Sequence, residues 1–311
     1  MPDIQHAYDL LTLDRGVSRL GLEADHGWVF GLPRGISTQQ WPLDPITGAP
    51  LMHGFTLLLP SDYRCHGPDI VGLAFFATAA DQNDGGARPL DAELERCILT
   101  PGSQPPQQEV LRPYWDQARQ AHPRLHRLTD ILGYHYALIL LTEEELQGAT
   151  TMPPSLKSVN GTTPEWITKG SLAAYSSYVG KPPLNPLDAL KQQFSQPDHE
   201  QGISILERHH AVRWSTRDDD PNAGIKPEES WGESSSSGYI APHDPENNYE
   251  LRPWVESLGL NHIGGTMQPI QAVPDMSPWY IGFEEDFGGY NFGGGNAQLD
   301  FRDMAFDWAC G

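Results

Sequence analysis

The chain has 311 residues, 38% of them hydrophobic and nine of them Trp, long enough to bury a sizeable core in one large domain or two ordinary ones. Its 41 acidic against 20 basic residues leave a net charge of −21. That balance argues against nucleic acid and anionic membrane surfaces, which need Lys and Arg to neutralise phosphate, and favours a basic partner or plain solubility.

Taken in order, the N-terminal stretch carries Asp3, Asp9 and Asp14 and no long apolar core, so it does not read as a signal peptide. Ile4 to Leu13 fits a short helix or a strand. Trp28-Val29-Phe30 leads to a Gly31-Leu32-Pro33 turn, a Trp41-Pro42 corner and a Gly48-Ala49-Pro50 step. The apolar runs Leu51 to Leu59 and Val71 to Thr78 then read as buried strands. Glu93 to Thr100 fits a short helix or strand. Gln107 to Thr129 reads as a helix on the spacing of Val110, Leu111, Tyr114, Trp115 and Ala118, kinked or split at Pro123.

Leu132 to Leu141 predicts a strand, Glu143 to Gln147 a short helix and Thr150 to Thr163 a loop. Trp166 to Val179 is helical in pattern and weakened by Gly170. Asn185 as N-cap and Pro186 behind it predict a helix burying Leu187, Leu190 and Phe194. Ile203 to Trp214 holds a further strand. Ser215 to Glu250 is rich in Asp, Glu, Pro, Ser, Gly and Asn, which predicts a loop over 215–250 that is mobile or ordered only by contacts.

At the C-terminal end, Gly264-Gly265 predict a turn with positive φ. Trp279 to Phe283 and Asn296 to Phe301 read as strands around the Gly-rich turn Gly288 to Gly295. Met304, Phe306 and Trp308 alternate with Ala305, Asp307 and Ala309, the period of a half-buried strand. Both ends of the chain thus follow one plan of Gly/Pro turn, strand, turn and strand. This points either to an internal duplication with a groove between its halves or to a chance likeness of Gly-rich hairpins. The elements together predict an α+β fold in one domain over 1–311. An antiparallel sheet comes from the N- and C-terminal regions, and helices from the middle pack on it.

The run His262-Ile263-Gly264-Gly265 through Pro269 and Gln271, the Gly-rich turn, Asp300-Phe301 and Phe306-Asp307-Trp308-Ala309-Cys310 resembles the end of the YwqG-like family. Gly31-Leu32-Pro33, Trp41-Pro42 and Gly48-Ala49-Pro50-Leu51-Met52 are similar to that family's N-terminal strand region. The family is bacterial and largely of unknown function, and some of its members sit among toxin-immunity systems. The resemblance implies an antitoxin-like role in which an acidic surface masks a toxin.

The residues themselves offer little chemistry. His122 and His126 are four apart, but Pro123 lies between them and no third ligand accompanies them. His209-His210 are adjacent and would face opposite sides of a strand. Asp81, Asn83 and Gly86 start like a calcium loop, yet Ala92 stands where a bidentate Glu is needed. No Gly-x-Ser-x-Gly elbow and no P-loop occurs, and Cys65-His66 lacks an orienting third group. Cys65, Cys97 and Cys310 are odd in number and scattered, which fits a reducing cytoplasm better than a disulfide framework.

No apolar run approaches the ~20 residues of a membrane span. No cofactor or metal is expected. The function expected is protein binding, most readily as an immunity protein. Partner contacts are assigned to Asp218, Asp219, Asp220, Glu228, Glu229, Glu284, Glu285 and Asp286, with Trp231 and Tyr239 as aromatic anchors. The alternative is a hydrolase using His and carboxylates in a cleft between the halves.

Overall fold

Alternating and apolar runs become strands, which pair their backbone groups with neighbouring strands. A computed structural model describes residues 3–13, 25–83, 91–159, 162–180, 205–228 and 235–311. Among them the strands are β1 (Ala7–Leu13), β2 (Gly27–Phe30), β3 (Met52–Leu58), β4 (Ile70–Ala77), β5 (Leu125–Thr129), β6 (His135–Thr142) and β7 (His209–Arg217). They continue with β8 (His243–Asp244), β9 (Glu250–Leu251), β10 (His262–Ile263), β11 (Tyr280–Glu284), β12 (Asn296–Asp300) and β13 (Ala305–Ala309). Eleven strands form one sheet in the order β13-β12-β11-β10-β1-β7-β2-β3-β4-β6-β5, and β8 and β9 form a separate hairpin. Each neighbouring pair is antiparallel.

Successive side chains point to opposite faces of a strand, so the sheet has two different surfaces. Its inner face gathers Val29, Phe55, Leu57, Leu73, Phe75, Tyr136, Leu138, Ile281, Phe283 and Leu299 into one core. Phe283 lies edge-on to Phe55 at 5.2 Å and to Phe75 at 5.6 Å, although β11 and β3 are five places apart in the sheet. The sheet is therefore curled nearly shut. Tyr136 of β6 meets Phe306 of β13 at 4.2 Å, and Trp308 Nε1 donates to Asp130 Oδ2 at 2.8 Å just beyond β5. That near-closure leaves the two edge strands beside each other rather than open to solvent.

On the outer face of β3, β4 and β6, Met52, Val71, Ala74, Phe76, Ile139 and Leu141 share a second cluster. It also holds Leu146 of α3 (Glu143–Leu146), Trp166 of α4 (Trp166–Lys169) and Ala174 of α5 (Ser171–Tyr178). Two further helices, α1 (Ala92–Leu99) and α2 (Arg112–Ala118), pack together through Leu94, Cys97, Ile98, Leu111, Tyr114 and Trp115. The Asp91 carboxylate caps α1, accepting from Glu93 N at 2.9 Å and Leu94 N at 3.1 Å.

The long helix expected over 107–129 is not formed. Helix α2 stops at Ala118, and Leu125–Thr129 is instead β5, paired with β6. Pro123 has no N–H for a helical bond and biases His122 towards extended backbone, while the apolar partner β6 rewards a strand. The helical pattern at 166–179 is divided at Gly170, whose φ is +79°; a Cβ there would lie 2.6 Å from the Ile205 carbonyl oxygen. The strand expected within 203–214 starts later and runs on through Ser215–Arg217. The helix expected at 185–194 lies outside the described residues.

The pairing around β1 and β7 has a regular form. Their register runs from Ala7↔Arg217 to Leu13↔Ala211, with Leu11↔Arg213 opposite one another. Beyond β7 come β2, β3, β4 and β6; beyond β1 come β10, β11, β12 and β13. Strands β2 and β10 both run into left-handed turns, Phe30-Gly31 with φ of +63° at both residues and Gly264-Gly265 with φ of +60° and +77°.

Trp308 closes the curl through its ring, stacked 5.7 Å from Phe292, and through its bond to Asp130. Trp308→Ala is expected to lower stability by about 3 kcal/mol, and Trp308→Phe, which keeps the stacking but loses the bond, by about 1 kcal/mol. Denaturant unfolding of both variants checks the order.

Candidate partner-binding surface

Of the acids assigned to partner contacts, Asp220 is a correction. It is 7% exposed and closes a network inside the protein. Its Oδ1 accepts from Thr266 Oγ1 at 2.7 Å and Asn222 N at 3.0 Å, and its Oδ2 from Thr266 N at 2.9 Å and Arg217 Nη1 at 3.2 Å. A carboxylate so fully engaged has no lone pair directed at a partner. Tyr239 is a second correction: it is 3% exposed, and its hydroxyl accepts from Met267 N at 2.8 Å. Composition gave no sign of either, because a short acidic, aromatic segment reads as solvated until its hydrogen-bond partners are known.

Asp218 and Asp219 are exposed. Glu228 is partly exposed and accepts from Ser236 Oγ at 2.9 Å and Ser237 N at 3.0 Å, so it ties two parts of its own segment together. Hydrogen bonds from the backbone of Ser236 and Ser237, and then from the Ser236 hydroxyl, hold its carboxyl down at about 2. Glu229 and Trp231 lie outside the described residues.

Glu284, Glu285 and Asp286 stand elsewhere. Because β7–β1, β1–β10 and β10–β11 are each antiparallel, β7 and β11 run in opposite directions. Their C-terminal ends, which carry Asp218-Asp219 and Glu284 to Asp286, therefore lie at opposite ends of the sheet. The acids do not make one surface.

The β11 end is the more elaborate. Glu285 organises the Gly-rich turn: its Oε1 accepts from Gly294 N at 2.9 Å and also from Phe292 N. Gly289, with φ of +91°, lets the turn lie against α5; a Cβ there would fall 2.8 Å from the Phe30 ring and 3.2 Å from Tyr175 Cβ. Helix α5 is pinned in turn by Ser171 Oγ, which accepts from Gly31 N at 2.9 Å. Burial, then the charges of Glu285 and Asp286, holds the Tyr175 hydroxyl above its usual range, and Tyr178 and Glu284 act in the same direction. Tyr178, at the last position of α5, is 44% exposed. The structure thus brings an acidic strand end to the helix of Tyr175 and Tyr178, which sequence reasoning passed over. Its signal, two tyrosines three apart on a short helix, carried no hint of the acidic neighbours.

His53, His122, His135 and His262 are buried. His53 is fully buried, with Nδ1 3.0 Å from the Phe30 carbonyl oxygen and Nε2 2.8 Å from Thr56 Oγ1. The carbonyl can only accept, so Nδ1 carries the proton and Nε2 accepts from the Thr56 hydroxyl. Burial pushes His53 down to about 3 and His262 well below its ordinary value. His122 donates through Nε2 to Glu145 Oε1 at 3.1 Å, while Nδ1 accepts from Arg124 N. Burial raises the Cys65 thiol to about 12, which keeps it protonated at neutral pH. Among the described residues no group of three or more His, Cys, Asp or Glu could hold a metal ion. No helix among them is long and apolar enough to cross a membrane.

A cleft of about 660 Å³ between α1, α2 and the segment linking them is lined by Glu93, Arg96, Cys97, Pro105, Pro106 and Trp115. None of the residues assigned from sequence lies in it. Neither a family model nor a curated protein nor a solved structure matches this chain.

Glu284 allows a pH test of the acidic end. Its Oε1 accepts from Asn296 Nδ2 at 3.2 Å, and burial, reinforced by the Asp286 and Glu285 charges, raises it above its ordinary value of 4.5. The folded chain then keeps this proton to higher pH than the unfolded chain. Its stabilising contribution is present below 4.5 and is lost as pH rises through the folded value. Glu284→Gln retains the acceptor without the charge. Thermal melts are expected to show a higher midpoint for the variant at neutral pH and no difference in strongly acidic buffer.

Proposed function

We propose that this chain is a non-enzymatic protein-binding module whose acidic surface covers a basic partner, with an immunity (antitoxin-like) role as the specific form. The observation that carries the reading is that the charges of Glu285 and Asp286 reach Tyr175 of α5, while Asp286 and Tyr178, the last residue of that helix, are both exposed. An aromatic flanked by carboxylates is the composition of a binding hot spot for a cationic surface, the ring supplying desolvated area and the acids supplying attraction. The net charge of −21 adds long-range steering of a basic partner. The likeness to the YwqG-like family is what favours immunity over other binding roles. The hydrolase alternative has less behind it, since His53 and Thr56 are wholly buried and the His122–Glu145 pair is engaged with Arg124, whose guanidinium also holds the Glu145 carboxylate.

The finer architecture belongs to the same proposal. The fold is α+β, with α3, α4 and α5 covering the outer face of β3, β4 and β6. The chain is an internal duplication in which each half has given its first strand to the other: β1 pairs with β10, and β7 with β2. The register supports this, because a two-fold axis through the Leu11↔Arg213 pair exchanges β1 with β7, β2 with β10, β3 with β11, β4 with β12 and β6 with β13.

A pull-down from native lysate supplies the partner, and surface-based kinetics with it test the surface. Asp286→Asn is expected to slow association about threefold at low salt, with the difference vanishing at high salt. Tyr178→Ala is expected to speed dissociation about tenfold or more at either salt. Unchanged rates in both variants remove this surface from the interface.

A further inference from the structure

The cleft of about 660 Å³ between α1, α2 and the segment linking them has the size of a pocket for a small organic molecule. Ala92, Cys97, Pro105, Pro106 and Trp115 give it an apolar wall. Burial raises the Cys97 thiol above its ordinary value, so it stays protonated and neutral and adds to that wall. The shape is held from within. Trp115 Nε1 donates to the Gly102 carbonyl at 3.0 Å, which ties the linking segment to α2. Gln108 Nε2 donates to Glu93 Oε2 at 2.7 Å, which ties the same segment to α1. A pocket fastened to both helices needs little ordering when a ligand enters.

The polar groups that line the cleft are mostly donors. Arg96 supplies the charge. Its side chain is 67% exposed, and its guanidinium lies 3.7 Å from Glu93 Oε1, too far for a hydrogen bond. Among the described residues the side-chain amides of Gln104 and Gln107, on the same lining, have no hydrogen-bond partner. Glu93 is the one acid on the wall, and one of its oxygens already accepts from Gln108. Arg119 brings a second guanidinium 4.8 Å from the centre of the Trp115 ring. A guanidinium offers five N–H donors in a planar fork that matches a carboxylate. In a chain of net charge −21, this cleft is a place that matches an anion.

We propose that the cleft binds a small carboxylate with an apolar body, the carboxylate on Arg96 and the body against Trp115, Pro105 and Pro106. Both parts are needed for chemical reasons. A bare inorganic anion leaves the apolar wall wet, and a neutral apolar molecule leaves the Arg96 donors without an acceptor. The inference goes beyond the partner-binding reading, because none of the acids assigned to that surface lines the cleft.

The test is calorimetric titration of the full chain at moderate salt with naphthoate, with its neutral analogue naphthamide and with acetate. Naphthoate is expected to bind about tenfold more tightly than naphthamide, a difference of about 1.4 kcal/mol, and acetate more weakly than either. Arg96→Gln is expected to abolish the preference for the acid while leaving naphthamide binding and the thermal midpoint unchanged, since this exposed side chain makes one long contact. Nuclear magnetic resonance locates the site. The Trp115 indole N–H signal, assigned by its loss in Trp115→Phe, is expected to shift as naphthoate is added to the unaltered chain. Equal affinity for acid and amide, no binding of either, a preference that survives Arg96→Gln, or a Trp115 signal that stays in place would each overturn the proposal.

Discussion

One buried guanidinium sits where the halves of the sheet are joined. Arg217, the last residue of β7, is 4% exposed. Its Nε donates to Asp9 of β1 at 2.6 Å, its Nη1 to Asp220 at 3.2 Å and its Nη2 to the Gly259 carbonyl. Asp9 also accepts from Gly259 N at 3.0 Å, and Asp220 holds Thr266 just after the Gly264-Gly265 turn. A single charge therefore ties β7 to β1 and both to the chain on either side of β10. A buried charge is tolerable only when its partners are in place, and removing one leaves the others uncompensated, at a cost of about 3–5 kcal/mol. The turn must be glycine for the same reason: a Cβ on Gly265 would stand 2.3 Å from Asp220 Oδ2 and 2.4 Å from Ala7 Cβ.

From that seam the sheet curls both ways, and aromatic side chains set how far. Phe55, Phe75 and Phe283 are almost wholly buried where the two wings face each other. Two tyrosines wedge the wings at places where only glycine fits. The Tyr63 hydroxyl lies against Gly264 and donates to the His6 carbonyl at 3.0 Å, and the Tyr290 hydroxyl lies against Gly54. A Cβ at either glycine would come within 1.9 Å of the hydroxyl oxygen. The rings pack the inside of the curl, and the exposed acids Asp218, Asp219 and Asp286 follow the ends of strands.

Much of the sheet was legible because strand residues carry their own pattern. The runs at 51–59, 71–78, 279–283 and 296–301 lie on β3, β4, β11 and β12, and the alternation at 304–310 lies on β13. Gly264 and Gly265 take the positive φ that their sequence predicted. The 107–129 segment misled because helical spacing in its first half was extended across Pro123, and the pairing of Leu125–Thr129 with β6, from Leu125↔Ile139 to Thr129↔His135, is invisible to helical periodicity. The candidate surface was half legible. Charge located the acids but could not separate Asp286, which faces water, from Asp220, which is enclosed by Arg217, Asn222 and Thr266. Nor could it reveal that α5, through Tyr175, stands by the acidic end of β11, since that placement depends on how the chain returns to the sheet.

The account depends most on the exchange of β1 and β7 across the seam. If each strand completes the other half, neither can leave without dissolving the core. Amide hydrogen exchange resolved by residue measures this directly. The protected amides of Ala7–Leu13 and His209–Arg217 are expected to exchange only through global unfolding, with one shared free energy and one shared denaturant dependence. Exchange of the β1 amides at a distinctly lower free energy, with β7 still protected, would show β1 to be a detachable edge and would contradict the account.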